Sequence, residues 1–213
     1  MTTGDGWKAA VRDRLAAGRL LPLGTAADGA WLTERAARDV LAGAASEVRG
    51  TVLGTLRLAA TEEAGGPPEP PVRIAAQFAA VAGRPLPETA EEVRAALLAA
   101  AEGLGLVVAE VDLRVTELLE EAPTQEPAPP PPGRTSPATD DPVALAVLRV
   151  PGVAAVTDAL GPPVRRTPGA VRAEFAVAGD RPALEVARAA RTAAAAAAPP
   201  GTAVTVLVTE VRR

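Results

Sequence analysis

A pattern in the first half of this 213-residue chain returns in the second. Val72-Arg-Ile-Ala-Ala-Gln-Phe78 leads to Arg84-Pro85, a helical run, and then Val111-Asp-Leu-Arg-Val-Thr-Glu-Leu118. Val171-Arg-Ala-Glu-Phe-Ala-Val177 leads to Arg181-Pro182, a second helical run, and Ala203-Val-Thr-Val-Leu-Val-Thr-Glu-Val211. Phe78 and Phe175, and the two Arg-Pro pairs, share an offset of 97; Val115-Thr-Glu117 and Val208-Thr-Glu210 share one of 93. A single shift of four between helix and strand reconciles the two values. Self-similarity of this kind decides the architecture before any residue-level reading does.

The pattern predicts an α+β fold of two tandem α-β-β-α-β units. Each would be a small mixed or antiparallel sheet with helices packed on one face. The expected organisation is an N-terminal helix and connector at 1–29, a first unit at 30–118, a Pro-rich flexible linker at 119–141 and a second unit at 142–213. Two short units built from Ala, Val and Leu, with aromatics at 2% of the chain, have thin cores near the lower limit of independent stability. They should lean on each other or on another copy.

Along the chain, Trp7, Val11 and Leu15 fall at i, i+4 and i+8 and predict a short amphipathic helix over 5–19. It would fold back on the first unit or touch a partner or a membrane surface. Leu20 to Gly29 reads as a connector, with Pro22, Gly24 and Asp28-Gly29 as turn signals. Trp31-Leu-Thr33-Glu-Arg opens a helix that Thr33 can cap and Gly50 can end. Val52–Leu58 and Val72–Phe78 read as strands. Pro85 or Pro87 starts a helix with Val93 and Leu97 on its buried stripe. In Val107–Val115 apolar residues alternate with Glu110, Asp112 and Arg114, the sign of a strand with one wet face. Asp141-Pro142 restarts the pattern as cap and first helical residue. A short helix, strands near Ala155–Leu160 and Val164–Arg166, and the closing strand–helix–strand follow. The helix from Pro182 holds six consecutive Ala residues, the best helix former, and Glu185 and Arg188 are placed to pair on its exposed side.

The chemical inventory is mostly one of exclusions. The sequence has no Cys, His or Tyr. Disulfides, thiolate chemistry, imidazole bases and zinc sites of the Cys/His kind therefore cannot be written. The two serines, Ser46 and Ser136, lie in no Gly-x-Ser-x-Gly context and have no His partner. The single lysine is Lys8, so no phosphate-binding Gly-x-x-x-x-Gly-Lys loop exists. No two glycines stand three apart, which removes Gly-x-Gly-x-x-Gly and the Gly-x-x-Gly of a KH loop. Net charge is −4, with two Trp and two Phe, a poor match to nucleic-acid binding. Between residues 26 and 121 eight Arg face sixteen acids, and the acidic first unit would attract the more basic second. Glu110 and Asp112, two apart on one strand face, are the remaining candidates for carboxylate catalysis. On a wet strand face they are also ordinary solvated charges. No catalytic, cofactor-binding or metal-binding residue is assigned.

The segment Trp31-Leu-Thr-Glu-Arg-Ala-Ala-Arg-Asp-Val-Leu-Ala-Gly-Ala-Ala-Ser-Glu-Val-Arg-Gly50 resembles the opening helix of the alkaline-shock, or envelope stress response, family of Gram-positive bacteria. Val150-Pro-Gly-Val153 resembles the Val-x-Gly-Val corner of that family. Ala183-Leu-Glu-Val-Ala-Arg with the strand 202–211 resembles its closing helix and strand. The likeness covers about 30–118 and 142–211, as a degenerate tandem. It implies a non-enzymatic cytoplasmic protein of envelope homeostasis that assembles with related proteins and with a small membrane anchor. No cofactor and no nucleic acid are expected, and no stretch approaches the ~20 apolar residues of a membrane span. The alternative is a carboxylate-dependent small-molecule enzyme or ligand-binding protein with a site between the two units.

Overall fold

A computed structural model of the chain describes residues 18–60, 71–121 and 136–212. The helix expected over 5–19 and most of the Pro-rich segment lie outside the described residues. The fold is α+β. Nine strands and four α-helices are present among the described residues, in two sheets. The chain divides into two compact units, one formed by residues 1–37 with 134–213 and the other by 38–133.

The smaller sheet belongs to the unit 38–133. It contains β3 (Thr51–Ala60), β4 (Val72–Val81) and β5 (Val108–Leu119), in the order β3-β4-β5. β3 runs antiparallel to β4, and β5 runs parallel to it. The parallel step requires a crossover, supplied by α2 (Leu86–Leu104). Pro85 stands at its N-cap and Gly105, at φ 81°, at its C-cap. Along β4 burial alternates strictly, so Val72, Ile74, Ala76 and Phe78 form the core with Val93, Leu97 and Ala101 of the helix. The period of two in the strand and the spacing of four in the helix are the physical origin of that match.

The larger sheet runs β1-β2-β9-β8-β6, with β7 also paired to β8. Its strands are β1 (Leu20–Leu23), β2 (Ala30–Thr33), β6 (Val153–Val156), β7 (Val164–Thr167), β8 (Ala170–Ala178) and β9 (Ala203–Arg212). β8 and β9 are parallel, joined by α4 (Ala183–Ala197), and α3 (Pro142–Leu148) precedes β6. Asp141 caps α3 through Val143 N–H at 2.8 Å, and Pro142 takes the first turn as the sequence predicts. Phe175, Val177, Val206, Val208, Val143, Val147 and Ala190 are buried in this unit.

Four readings of the sequence are corrected by the structure. Leu20–Leu23 is a strand rather than part of a connector, and Trp31 and Leu32 lie in a strand rather than in a helix. β2 runs parallel to β9, with Ala30 opposite Val206 and Leu32 opposite Val208. The helix α1 (Glu34–Ser46) starts one residue after Thr33, whose hydroxyl accepts from Ala36 N–H at 3.3 Å. The cap was legible; the four-residue strand before it was not, because its partner lies some 175 residues away in the chain. The strand expected at Ala155–Leu160 runs from Val153 to Val156 instead. Arg188 pairs with Asp28, not chiefly with Glu185.

The same local devices occur in both sheets. In β4–β5 the register slips after Phe78–Val115 and leaves Thr116 as a bulge; in β8–β9 it slips after Phe175–Val208 and leaves Thr209. Each bulged hydroxyl donates to the carbonyl of the phenylalanine, Thr116 to Phe78 and Thr209 to Phe175, both at 3.3 Å. Val81 N–H donates to Gly50 carbonyl at 2.9 Å, and Ala178 N–H to Gly152 carbonyl at 2.8 Å. Gly50 and Gly152 have φ of 76° and 95°, a region L-residues avoid.

Candidate functional site

The crossover helix of each sheet sends one arginine down to the outer edge of the parallel strand that follows it. Arg94 of α2 donates through an Nη to the Val111 carbonyl of β5 at 2.7 Å. Arg191 of α4 donates through Nε to the Val204 carbonyl of β9 at 3.0 Å. Arg94 and Arg191 stand 97 apart and the two valines 93 apart, the offsets already seen in the sequence.

The two edges differ in what lies beyond them. On β9, Arg191 also donates to Ala27 carbonyl at 2.8 Å. Val206 N–H donates to Gly29 carbonyl at 3.0 Å, and β2 then continues along the edge. Asp28, at the end of a 3-10 turn, is gripped by Arg188 Nε and Nη at 2.8 and 3.1 Å. That guanidinium, with the Thr25 N–H, holds the Asp28 carboxyl well below the usual carboxylate range. On β5 no strand pairs with the outer edge among the described residues. An open groove of about 600 Å³ runs there, lined by Arg94 and Leu98 of α2 and by residues 108–113 of the strand.

Glu110 and Asp112, the acids singled out from sequence, lie on this strand and face the side away from α2. Their side chains are 47% and 52% exposed. Arg73 of β4, directly across from Glu110 in register, ion-pairs with it and lies 3.8 Å from Asp112. Half-exposed carboxylates paired with an arginine on a wet strand face are the ordinary arrangement of surface charges. No cluster of three or more Asp or Glu able to hold a metal ion is present among the described residues. Arg114, next on the same face, has no ion pair among the described residues.

The acid that the environment does perturb is Glu174, which sequence reading passed over as one residue of a strand. It is fully buried at the centre of β8. Its carboxylate accepts from Leu160 N–H at 2.9 Å and pairs with Arg172. Its backbone N–H donates to Pro163 carbonyl, and its carbonyl accepts from Thr157 N–H. Burial pushes the carboxyl up, against the pull of Leu160 N–H and of Arg172; Asp158 adds to the rise. Glu174 thus pins the segment 157–163 between β6 and β7. The available signal was the missing alternation: Ala173, Phe175, Ala176 and Val177 around it are all apolar, as in a strand covered on both faces.

Near the C-terminal end of β9, Thr157 and Thr209 hydroxyls lie 2.6 Å apart, and Thr33 hydroxyl donates to the Thr209 carbonyl at 3.3 Å. These bonds satisfy the bulge and tie β2, β6 and β9 together; among the described residues no carboxylate hydrogen-bonds to these hydroxyls, as a base for a hydroxyl nucleophile would.

No helix among the described residues is long and apolar enough to cross a membrane. Comparison with family models, with curated proteins and with solved structures returns no match.

Proposed function

We propose that this chain is a non-enzymatic structural or interaction protein of the envelope-stress type, one that works by assembling with like proteins in the cytoplasm. The observation that carries the reading is the outer edge of β5, a twelve-residue strand that pairs on one side and has no strand on the other among the described residues. An unpaired row of backbone donors and acceptors is a template for another chain, and proteins that do not use such an edge generally shorten, twist or cover it. The sequence resemblance supports the same reading and adds a small membrane anchor as a partner. The half-exposed, arginine-bound state of Glu110 and Asp112 weighs against the rival reading of carboxylate catalysis.

The test is in-cell cross-linking of the full chain followed by affinity capture and mass spectrometry. Recovery of this chain's own cross-linked species, of related α/β proteins or of a small membrane protein is the expected outcome. A strictly monomeric chain that returns none of these would sink the proposal.

A further inference from the structure

We propose that β5 pairs antiparallel with β5 of a second copy, with Leu113 opposite the partner's Leu113, so that two three-stranded sheets become one of six. The proposal rests on the assembly reading above and names the surface that performs it.

The first support is which backbone groups point outward. On β9, Val204 carbonyl and Val206 N–H face the edge that β2 occupies. At the offset of 93 their counterparts on β5 are Val111 and Leu113, and Val111 carbonyl is the group Arg94 reaches. Alternation then places the outward groups of β5 on residues 111, 113 and 115. A twofold through Leu113 lets Leu113 exchange two hydrogen bonds with its own image and sets Val111 against the partner's Val115. Val111 carbonyl keeps a lone pair for this while bound to Arg94. The bulge at Thr116 ends the flat part of the strand.

The second support is charge. Only some antiparallel registers place outward groups opposite one another, and their side-chain pairings differ. Centring on Leu113 sets Asp112 against the partner's Arg114 twice, and Glu110 against Thr116. Centring on Val111 sets Glu110 against Asp112 twice. Centring on Asp112 sets two aspartates face to face, and centring on Arg114 does the same with two arginines. Directly opposed like charges destabilise a strand pair and opposite ones stabilise it. The Leu113 register is the one of these four that makes opposite-charge pairs without a like-charge pair opposite. Asp112 meets Arg73 only through Oδ2 at 3.8 Å, the longer of that arginine's two contacts, so it can take a second arginine on its outer side. Arg114 is exposed and has no ion pair among the described residues.

The absence of cysteine makes the register directly readable. Facing residues in such a pair have Cα atoms about 5.5 Å apart, within disulfide reach. Leu113→Cys should therefore cross-link to a dimer under mild oxidation, whereas Val115→Cys, whose two copies sit on opposite sides of the twofold, should stay monomeric. In sedimentation velocity of the full chain, Asp112→Arg should weaken self-association by roughly tenfold, from two lost attractions and two new repulsions. Asp112→Arg with Arg114→Asp should restore it. Circular dichroism of each variant checks that it folds; both charged sites are exposed. Equal cross-linking of the two cysteine variants, self-association indifferent to Asp112→Arg, or no self-association at all overturns the proposal. If self-association is absent but capture from cells still returns related proteins, the self-pairing fails and the assembly reading stands; if both fail, both are wrong.

Discussion

Replacing Glu174 by glutamine should leave the larger unit as stable at neutral pH, or more so, although the residue is fully buried. Glutamine keeps the shape and an oxygen that accepts from Leu160 N–H, a bond worth a net ~0.5–1.5 kcal/mol. It removes the cost of burying a charge, which is the main reason the carboxyl is raised. The lost partner is Arg172, whose side chain is 26% exposed and can turn to water. Exchanging a buried ion pair for neutral groups is commonly neutral to stabilising, by up to ~1–4 kcal/mol. The pH dependence gives the sharper signature. A carboxyl whose folded pKa lies above its unfolded value holds its proton more tightly in the native state. Its contribution is therefore full below the ordinary glutamate value of 4.5 and is lost as pH rises through the raised folded value. The advantage of Glu174→Gln should thus grow from acid to neutral pH, by ~1.4 kcal/mol for each unit of rise. Urea titrations followed by Trp31 fluorescence, with Trp7→Phe as background, read the unit that contains Glu174. A loss of ~2 kcal/mol or more that is the same at acid and neutral pH would refute this reasoning, and would make the Arg172 pair a net stabiliser.

Gly152→Ala should cost more than Gly50→Ala in thermal melts. Both have positive φ, but a Cβ at Gly152 would stand 2.7 Å from a Val186 methyl, whereas at Gly50 the nearest atom is 3.7 Å away. The shared backbone penalty is ~1–2 kcal/mol, and the clash adds to it only at Gly152. Thr209→Val should destabilise more than Thr116→Val by urea titration. Thr116 loses one hydroxyl bond, worth ~0.5–1.5 kcal/mol, while Thr209 also strands the buried Thr157 hydroxyl. Asp28 and Asp141 have lowered folded pKa values, through Arg188 and Arg166 respectively. Their stabilisation is full above the ordinary aspartate value of 3.8 and is lost as pH falls below it, so Asp28→Asn should flatten the acid limb of a stability–pH profile.

Much of the architecture was legible because it is locally encoded. The alternation of Val72–Phe78 and of Val107–Val115, the Asp141-Pro142 start and the Thr33 cap each depend on residues within a few positions. β1 and β2 were not legible. Four residues carry little periodicity, and Pro22, which reads as a turn signal, sits inside β1 at the edge of the sheet; β2 is ordered on the distant β9 edge and β1 on β2. The residues of the candidate site divide in the same way. Glu110, Asp112 and Arg114 could be placed on one face from spacing alone, while Arg94 reads as one more charge on a helix surface until its contact with Val111 carbonyl is seen. The apolar run around Glu174 signals a strand covered on both faces, but that the loop 157–163 supplies the second cover and a partner for the carboxylate is not written in that run.

Hydrogen exchange of backbone amides in the full chain, followed by NMR at a dilute and a concentrated setting, tests the assembly surface most directly. Val206 N–H is bonded to Gly29 carbonyl and should be protected at both concentrations. Leu113 N–H should exchange freely when dilute and slow as concentration rises. Fast exchange of Leu113 at every concentration, or protection that is already complete in the dilute sample, would contradict the account.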